Sequence, residues 1–254
     1  MNIIACYKIV YEEQDIVVKP DSTLSFERAE LKLSLYDLNA IEAVVRLAKE
    51  TGGVSKLLTA AEPSKADNSK LRKGVLSRGP EELFIVKDPS LADPDTYQTA
   101  QVLAAAAKKI GFDVIICGEG SADQYAQQTG IQLGIALDVP VINAISSIKA
   151  DGGKLTVERT IEGGIQVFDI STPCVICVTS DINEPAIPTM KDILGAGKKP
   201  VTELTFADLG FTLPENTVEI VSTLAPKQAE RKMIIVEGDD KVAELFEQIR
   251  NEIK

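Results

Sequence analysis

The stretch Asp113–Gly130, DVIICGEGSADQYAQQTG, decides the fold. Val114 to Ile116, followed by Cys117, is an apolar run that reads as a buried strand. Gly118-Glu119-Gly120-Ser121 comes next, and the spacing predicts a polar helix opening at Asp123. A strand, a small-residue turn and a helix start together aim backbone N–H groups and a helix dipole at an anion. The glycines do not complete a G-x-G-x-x-G fingerprint, because Asp123 stands at the third position, and no G-K-[ST] follows. A phosphorylated ligand is therefore expected, but neither an ordinary dinucleotide dehydrogenase nor a P-loop ATPase.

Working outward, strand-like runs recur at Ile3 to Tyr7, Val54 to Thr59, Leu83 to Val86 and Cys174 to Val178. Helical patterns lie between most of them. Apolar positions 38, 41, 44, 45 and 47 make one helix face, with Asp37 expected as its cap. Tyr97 to Ile110 is alanine-rich and stops at Gly111. Strands alternating with helices at this spacing predict an α/β fold with a doubly wound, mostly parallel sheet. One interruption has a different period. Leu155, Val157 and Ile161, the turn Glu162-Gly163-Gly164, then Ile165 and Val167 predict an inserted β-hairpin. A similar pair is expected around Pro20-Asp21.

Beyond Pro200 the pattern weakens, which divides the chain into a body, 1–200, and a C-terminal arm, 201–254. Within the arm, Val242, Leu245, Phe246, Ile249 and Ile253 follow Gly238-Asp239-Asp240 at the spacing of an amphipathic helix. It either packs back on the body or wraps another subunit.

The chain has 254 residues, enough for a full core, and is 44% hydrophobic and 26% charged, which are globular values. Its net charge of −11 argues against nucleic acid and against an acidic membrane surface as partners. No apolar run has the length of a membrane span. The opening MNIIACYKIV reads directly as a strand rather than a secretory leader, so a cytoplasmic location is expected. There is no histidine, which removes imidazole acid–base work, Ser-His and Cys-His catalysis. Demanding chemistry on this chain would come from a cofactor. Cys174-Val175-Ile176-Cys177 matches C-x-x-C, but residues three apart on a strand point to opposite faces, so buried structural thiols are expected there.

On the predicted helix from Asp123, Gln124, Gln128 and Gln132 form one stripe, and Ala126, Gly130, Leu133 and Leu137 form a second that is small at its start. Ser121, Asp123, Gln128 and Thr129 offer polar contacts to phosphate, ribose or adenine, whereas Gln132 reads as a solvated position. Lys and Arg are missing from residues 110 to 148. A diphosphate would rest on N–H groups and the helix dipole, with any compensating cation supplied from elsewhere, a partner subunit included.

Val157 to Cys177, VERTIEGGIQVFDISTPCVIC, joins an Arg-bearing strand to an acidic-glycine turn. Asn183-Glu184-Pro185, Met190-Lys191 and Lys198-Lys199 then mark an exposed loop or short helix presenting an apolar side chain among charges. Together with Cys6-Tyr7-Lys8, YDLNAIEA (Tyr36 to Ala43), VLSRGPEEL (Val75 to Leu83) and GEGSADQYAQQTG, these segments resemble the beta subunit of electron transfer flavoproteins. The likeness leans toward the branch serving anaerobic and carnitine-type acyl-CoA reactions.

That resemblance implies an adenine-nucleotide hydrolase-like, Rossmann-like fold and a heterodimer with an alpha subunit carrying a mobile FAD domain. It further implies a nucleotide on this chain, FAD or in other members a structural AMP. By motif position the nucleotide contacts fall at Cys6, at Ser34, Leu35, Tyr36 and Asp37, at Ala61, and along Gly118, Glu119, Gly120, Ser121, Ala122, Asp123, Gln124, Tyr125, Ala126, Gln127, Gln128 and Thr129. The loop recognising an acyl-CoA dehydrogenase or reductase falls at Asn183, Glu184, Pro185, Met190, Lys191, Ile193, Lys198 and Lys199, with Met190 as the apolar anchor. With FAD bound, the resemblance implies electron bifurcation from NADH to ferredoxin and to the dehydrogenase; with AMP, simple relay. Two departures are Gly120-Ser121-Ala122-Asp123 where the family loop often reads G-x-Q-A-I-D, and Tyr7-Lys8 where it has Val-Lys. A second class of reading is a nucleotide-binding regulatory module of the universal stress protein or ATP pyrophosphatase type, in which the 183–199 loop has no role.

Overall fold

The computed structural model describes residues 1–151, 154–227 and 233–250. Strand β1 (Asn2–Cys6) is followed by four short strands, β2 (Ile9–Tyr11), β3 (Val17–Val18), β4 (Leu24–Ser25) and β5 (Leu31–Leu33). Helix α1 (Leu35–Thr51), β6 (Val54–Ala61), α2 (Pro63–Ala66), α3 (Ser69–Leu76), β7 (Glu82–Lys87), α4 (Thr96–Ile110), β8 (Val114–Gly118), α5 (Thr129–Leu137) and β9 (Val141–Ile145) alternate next. Three antiparallel strands then intervene, β10 (Ser147–Asp151), β11 (Lys154–Ile161) and β12 (Gly164–Ser171), before β13 (Cys174–Val178), α6 (Met190–Ala196), β14 (Val201–Leu204), α7 (Phe206–Leu209) and α8 (Lys241–Ile249).

Seven strands form one sheet in the order β14-β7-β6-β1-β8-β13-β9, and every neighbouring pair is parallel. The α/β, doubly wound prediction holds. The apolar runs become strands within two residues of their expected ends because continuous burial on both faces leaves few other uses for them. Alternation then sorts each strand into two layers. Ile3, Ala5, Leu57, Val114, Ile116, Cys174 and Ile176 face α1 and α3. Ile4, Cys6, Leu58, Ile115, Cys117, Val175 and Cys177 face α4 and α5. Cys174 and Cys177 thus lie in opposite layers, both buried, as their three-residue spacing requires.

Helix α4 has the capping box its sequence allows: Asp95 accepts from the Gln98 N–H at 2.6 Å, and Gly111 ends the helix at φ +76°. Two expected boundaries are corrected. The cap of α1 is Ser34, not Asp37, which lies in the first turn with its carboxylate turned inward. The helix expected from Asp123 starts at Thr129. Ser121–Tyr125 forms a turn instead, closed by Tyr125 N–H to the Ser121 carbonyl at 3.0 Å, and Tyr125 and Gln127 take left-handed φ values of +46° and +56°, which break helical continuity.

The predicted hairpin is β11–β12, turning at Gly163, with φ of +86°. Strand β10 extends it to three strands, a member the sequence pattern did not separate from β9. The pair around Pro20-Asp21 is β3–β4. Edge strand β14 comes from beyond Pro200 and pairs with β7.

Two compact units are distinguished. One comprises 1–17 and 25–222; the other comprises 18–24 and 223–254. In the second, Ala225 N–H donates to the Ser22 carbonyl at 2.9 Å. Helix α8 leaves Val242, Leu245 and Phe246 exposed; Ile253 of the predicted stripe lies outside the described residues. No described helix is long and apolar enough to cross a membrane.

Candidate functional site

The chain steps from β1 outward to β6 and β7, then returns through α4 to β8 on the other side of β1. That reversal opens a crevice at the carboxyl ends of β1 and β8, where open α/β sheets bind ligands. Three segments meet there: Cys6-Tyr7-Lys8 leaving β1, Ser34–Asp37 entering α1, and the loop after β8.

Asp37 ties them together. Its Oδ2 accepts the Lys8 N–H at 2.8 Å. Gly118 lies against its other oxygen so closely that a Cβ there would stand 2.7 Å from Oδ1 and 2.9 Å from the Tyr36 carbonyl carbon. Only glycine allows this approach. The buried Ser34 Oγ accepts the Ala122 N–H at 3.3 Å, and the Ser34 N–H donates to the Lys8 carbonyl at 3.0 Å. Lys8 Nζ then reaches across to Asp123 at 2.8 Å. Lys8 thus brings a cation to a loop that has none of its own between residues 110 and 148, and spends it on Asp123. Tyr125 packs on Tyr36, ring centroids 5.1 Å apart, and covers Gly120, where a Cβ would meet Tyr125 Cδ2 at 2.6 Å.

Burial raises the Asp37 carboxyl to about 7, against the Lys8 N–H, Ser34 and the Lys8 charge, which favour ionisation. Desolvation also pushes Asp123 upward, but the Lys8 ammonium and the Ser121 hydroxyl outweigh it and hold the carboxyl below its usual value. The contrast follows from pairing: Asp123 has a cation, and Asp37 has none within ion-pair distance among the described residues.

Helix α5 starts behind this loop. Its cap, Gln128, makes no side-chain capping bond, so the first-turn N–H groups carry the helix dipole without a side-chain acceptor there. Gly130 brings that turn onto the sheet: a Cβ there would collide with Cys177 Sγ and stand 3.3 Å from Cys117 Cβ. In the expected stripe, Gly130, Leu133 and Leu137 are buried as predicted, whereas Ala126 and Gln124 lie on the loop and not on the helix. Among the described residues, the N–H groups of Gly120, Ser121 and Asp123 make no hydrogen bond. Left-handed Gln127 and Ala144, each at φ +56°, border an enclosed space of about 30 Å³ with Glu119, Gly130, Asn143 and Cys177. Strain of this kind concentrates at binding sites. Asn143 and Ala144 carried no signal in the sequence.

The structure brings Cys6, Ser34, Tyr36, Asp37 and Gly118 to Asp123 together at the ends of β1 and β8, with Tyr125 stacked on Tyr36, whereas Leu35 of the expected set is exposed and lines the groove beside Pro185. Gln124 and Ala126 are exposed, and Gln127, Gln128 and Thr129 lead into α5. Gln128 Oε1 accepts the Thr96 hydroxyl at 3.0 Å. Ala61 is buried at the end of β6, on the far side of β1 from the loop.

The 183–199 span forms a second feature. Asn39 Nδ2 donates to the Asn183 carbonyl at 2.8 Å, and Asn183 Nδ2 returns to the Asn39 carbonyl at 3.0 Å. Arg46 donates to the Glu184 carbonyl, and the Ala186 N–H to Glu42. At the other end Lys199 Nζ donates to the carbonyls of Leu76 and Pro80, at 2.9 and 2.6 Å, so it is a tether rather than a surface charge. Between the tethers Met190 is 73% exposed, but Ile187, absent from the expected set, is 90% exposed and Leu194 is 72%. Lys191, Ile193, Lys198 and Glu184 are exposed, and Pro185 lines a groove of about 450 Å³ with Leu35, Leu38, Arg78 and Ile187.

A family model described as the electron transfer flavoprotein domain matches residues 23–209.

Proposed function

The chain belongs to the electron transfer flavoprotein domain family, and from that premise we propose that it is the beta subunit of such a flavoprotein, paired with an alpha subunit that carries FAD. The observation carrying the proposal is the switch-point crevice. Glycines 118 and 130 bring a strand end and a helix start close enough for main-chain N–H groups to hold a phosphate. The donor set fits the phosphate end of an adenosine-containing cofactor.

FAD is the proposed occupant, on the strength of the resemblance to the anaerobic acyl-CoA branch. FAD held here supplies the redox chemistry, and the complex carries electrons between NADH, ferredoxin and an acyl-CoA dehydrogenase or reductase by flavin-based bifurcation. The chain's own residues bind, orient and shield. Gly118 to Asp123 and the α5 start hold phosphate, Tyr36 and Tyr125 wall the crevice, and Lys8 neutralises Asp123. The 183–199 span docks the dehydrogenase through Met190 and Ile187. The segment after residue 200, above all the exposed apolar face of α8, contacts the alpha subunit.

Absorption and nucleotide extraction of the chain co-purified with its alpha partner test this directly. Two flavins per heterodimer are expected. One flavin with AMP would replace bifurcation by simple relay, and a colourless complex would overturn the flavoprotein role altogether.

A further inference from the structure

Resting on the nucleotide-site reading above, we propose that binding of an anionic nucleotide at the β1/β8 crevice takes up a proton, and that Asp37 holds it.

The reasoning is electrostatic and starts from three segments meeting on one buried carboxylate. Asp37 is 7% exposed and accepts main-chain N–H from Lys8, while its other oxygen rests on Gly118. N–H groups stabilise an anion only partly; a buried carboxylate without a cation is costly. The surrounding groups offer no further relief. From the loop after β1 comes Lys8, whose ammonium is bound by Asp123. At the ends of β1 and β8 stand Cys6 and Cys117, and the Cys117 thiol is held neutral by its bond with Cys6 and by burial. Tyr36 is Asp37's neighbour on α1, and Glu119 is directed at Tyr125. The one charged residue of β6, Lys56, lies over Phe84, and β13 carries no charge.

Asp37, Asp123 and Lys8 together carry one negative charge when Asp37 is ionised and none when it is protonated. A phosphate drawn to the N–H groups beside Gly118 adds negative charge within this low-dielectric corner, where like charges repel strongly. Asp123 keeps its proton off because its side chain is 37% exposed and paired. Asp37, which already titrates at about 7, is the group that yields. With Asp37 ionised its Oδ2 is a charged acceptor for the Lys8 main-chain N–H; protonation leaves a neutral, weaker acceptor at that place.

Calorimetric titration of the full chain with FAD, between about pH 6 and 9 and in two buffers of different ionisation enthalpy, tests this. The pyrophosphate of FAD does not titrate in that range, so a proton taken up belongs to the protein. Affinity is expected to weaken above pH 7 by up to about tenfold per pH unit, with uptake of up to one proton, and to level off below. Asp37→Asn should bind with a pH-independent Kd and no proton uptake. If that variant fails to fold, carbon-13 carboxyl NMR of the wild-type chain takes its place, and FAD should raise the Asp37 titration midpoint. Binding without pH dependence or proton uptake, uptake that persists in Asp37→Asn, or an unmoved Asp37 resonance would overturn the proposal and leave the nucleotide site standing. Failure of both FAD and AMP to bind at every pH would remove the nucleotide site itself, and this proposal with it.

Discussion

The β1/β8 crevice and the 183–199 span belong to the same compact unit and use their polar groups in opposite ways. In the crevice a carboxylate, a serine and a lysine turn inward, and three non-glycine residues around it adopt left-handed backbone. In the span, side-chain amides and Lys199 fasten the main chain at both ends, so apolar side chains turn outward on a backbone that is already ordered. The first arrangement costs stability in exchange for a site that responds to a charged ligand. The second adds hydrogen bonds and presents Ile187, Met190 and Leu194 with little left to order on docking. Substitutions in the crevice should therefore change folding and pH behaviour, and substitutions of the span's exposed apolar side chains should change electron delivery alone.

The largest expected effect is in the crevice. Asp37 has a folded pKa of about 7 against 3.8 for an ordinary aspartate. Over that interval the folded protein keeps a proton that the unfolded chain has released, so stability falls as pH rises from about 4 to 7. Across it, wild type should lose on the order of 2–4 kcal/mol relative to Asp37→Asn, read from urea unfolding at each pH. Parallel curves for the two proteins would break the contrast at its strongest point.

Two glycines sharpen it next. Gly130→Ala drives a methyl group into Cys177 and Cys117 and should cost about 1–3 kcal/mol together with nucleotide retention. Gly195, on α6 in the span, has nothing within 4 Å of a built Cβ. Gly195→Ala should be neutral or stabilise by up to about 1 kcal/mol. Equal destabilisation by both would erase the distinction between the regions.

In the span, replacing Ile187 and Met190 together by alanine should slow electron delivery to the dehydrogenase about tenfold, the loss of one interface hot spot. Flavin content and unfolding midpoint should not move. A shifted midpoint would mean these side chains support the fold rather than a partner. The smallest effect belongs to Lys8→Ala. Its pair with Asp123 is 44% and 37% exposed and should contribute less than about 1 kcal/mol, visible as a difference between low and high salt that the variant lacks.

Much of this architecture is legible in the sequence because parallel strands buried on both faces leave unbroken apolar runs, as at Val114 to Cys117 and Cys174 to Val178. The hairpin at Gly163 announces itself by a change of period. The start of α5 does not. Gln, Ala and Asp between 122 and 128 suit a helix equally well, and only packing of Tyr125 on Tyr36 and Gly120 selects a turn. Asp37 reads as a cap because its type and position suit one; its inward orientation depends on Lys8 and Gly118, far away in sequence. Ile187 looks no different from a core residue until the tethers on either side of it are seen. Strand β14 is four residues long after a proline, too short to show a period.

The sheet also fixes the order in which it can close. Strand β9 pairs only with β13 and so has no hydrogen-bonded neighbour until the three-stranded excursion has been traversed; β14 waits longer still, since Val201 pairs with Leu83. Loop-closure entropy makes such distant pairings late events. During synthesis the inner strands β1, β6, β7 and β8 can assemble as each emerges, while the β9 edge stays unzipped until residue 178 has been made and the β14 edge until residue 204.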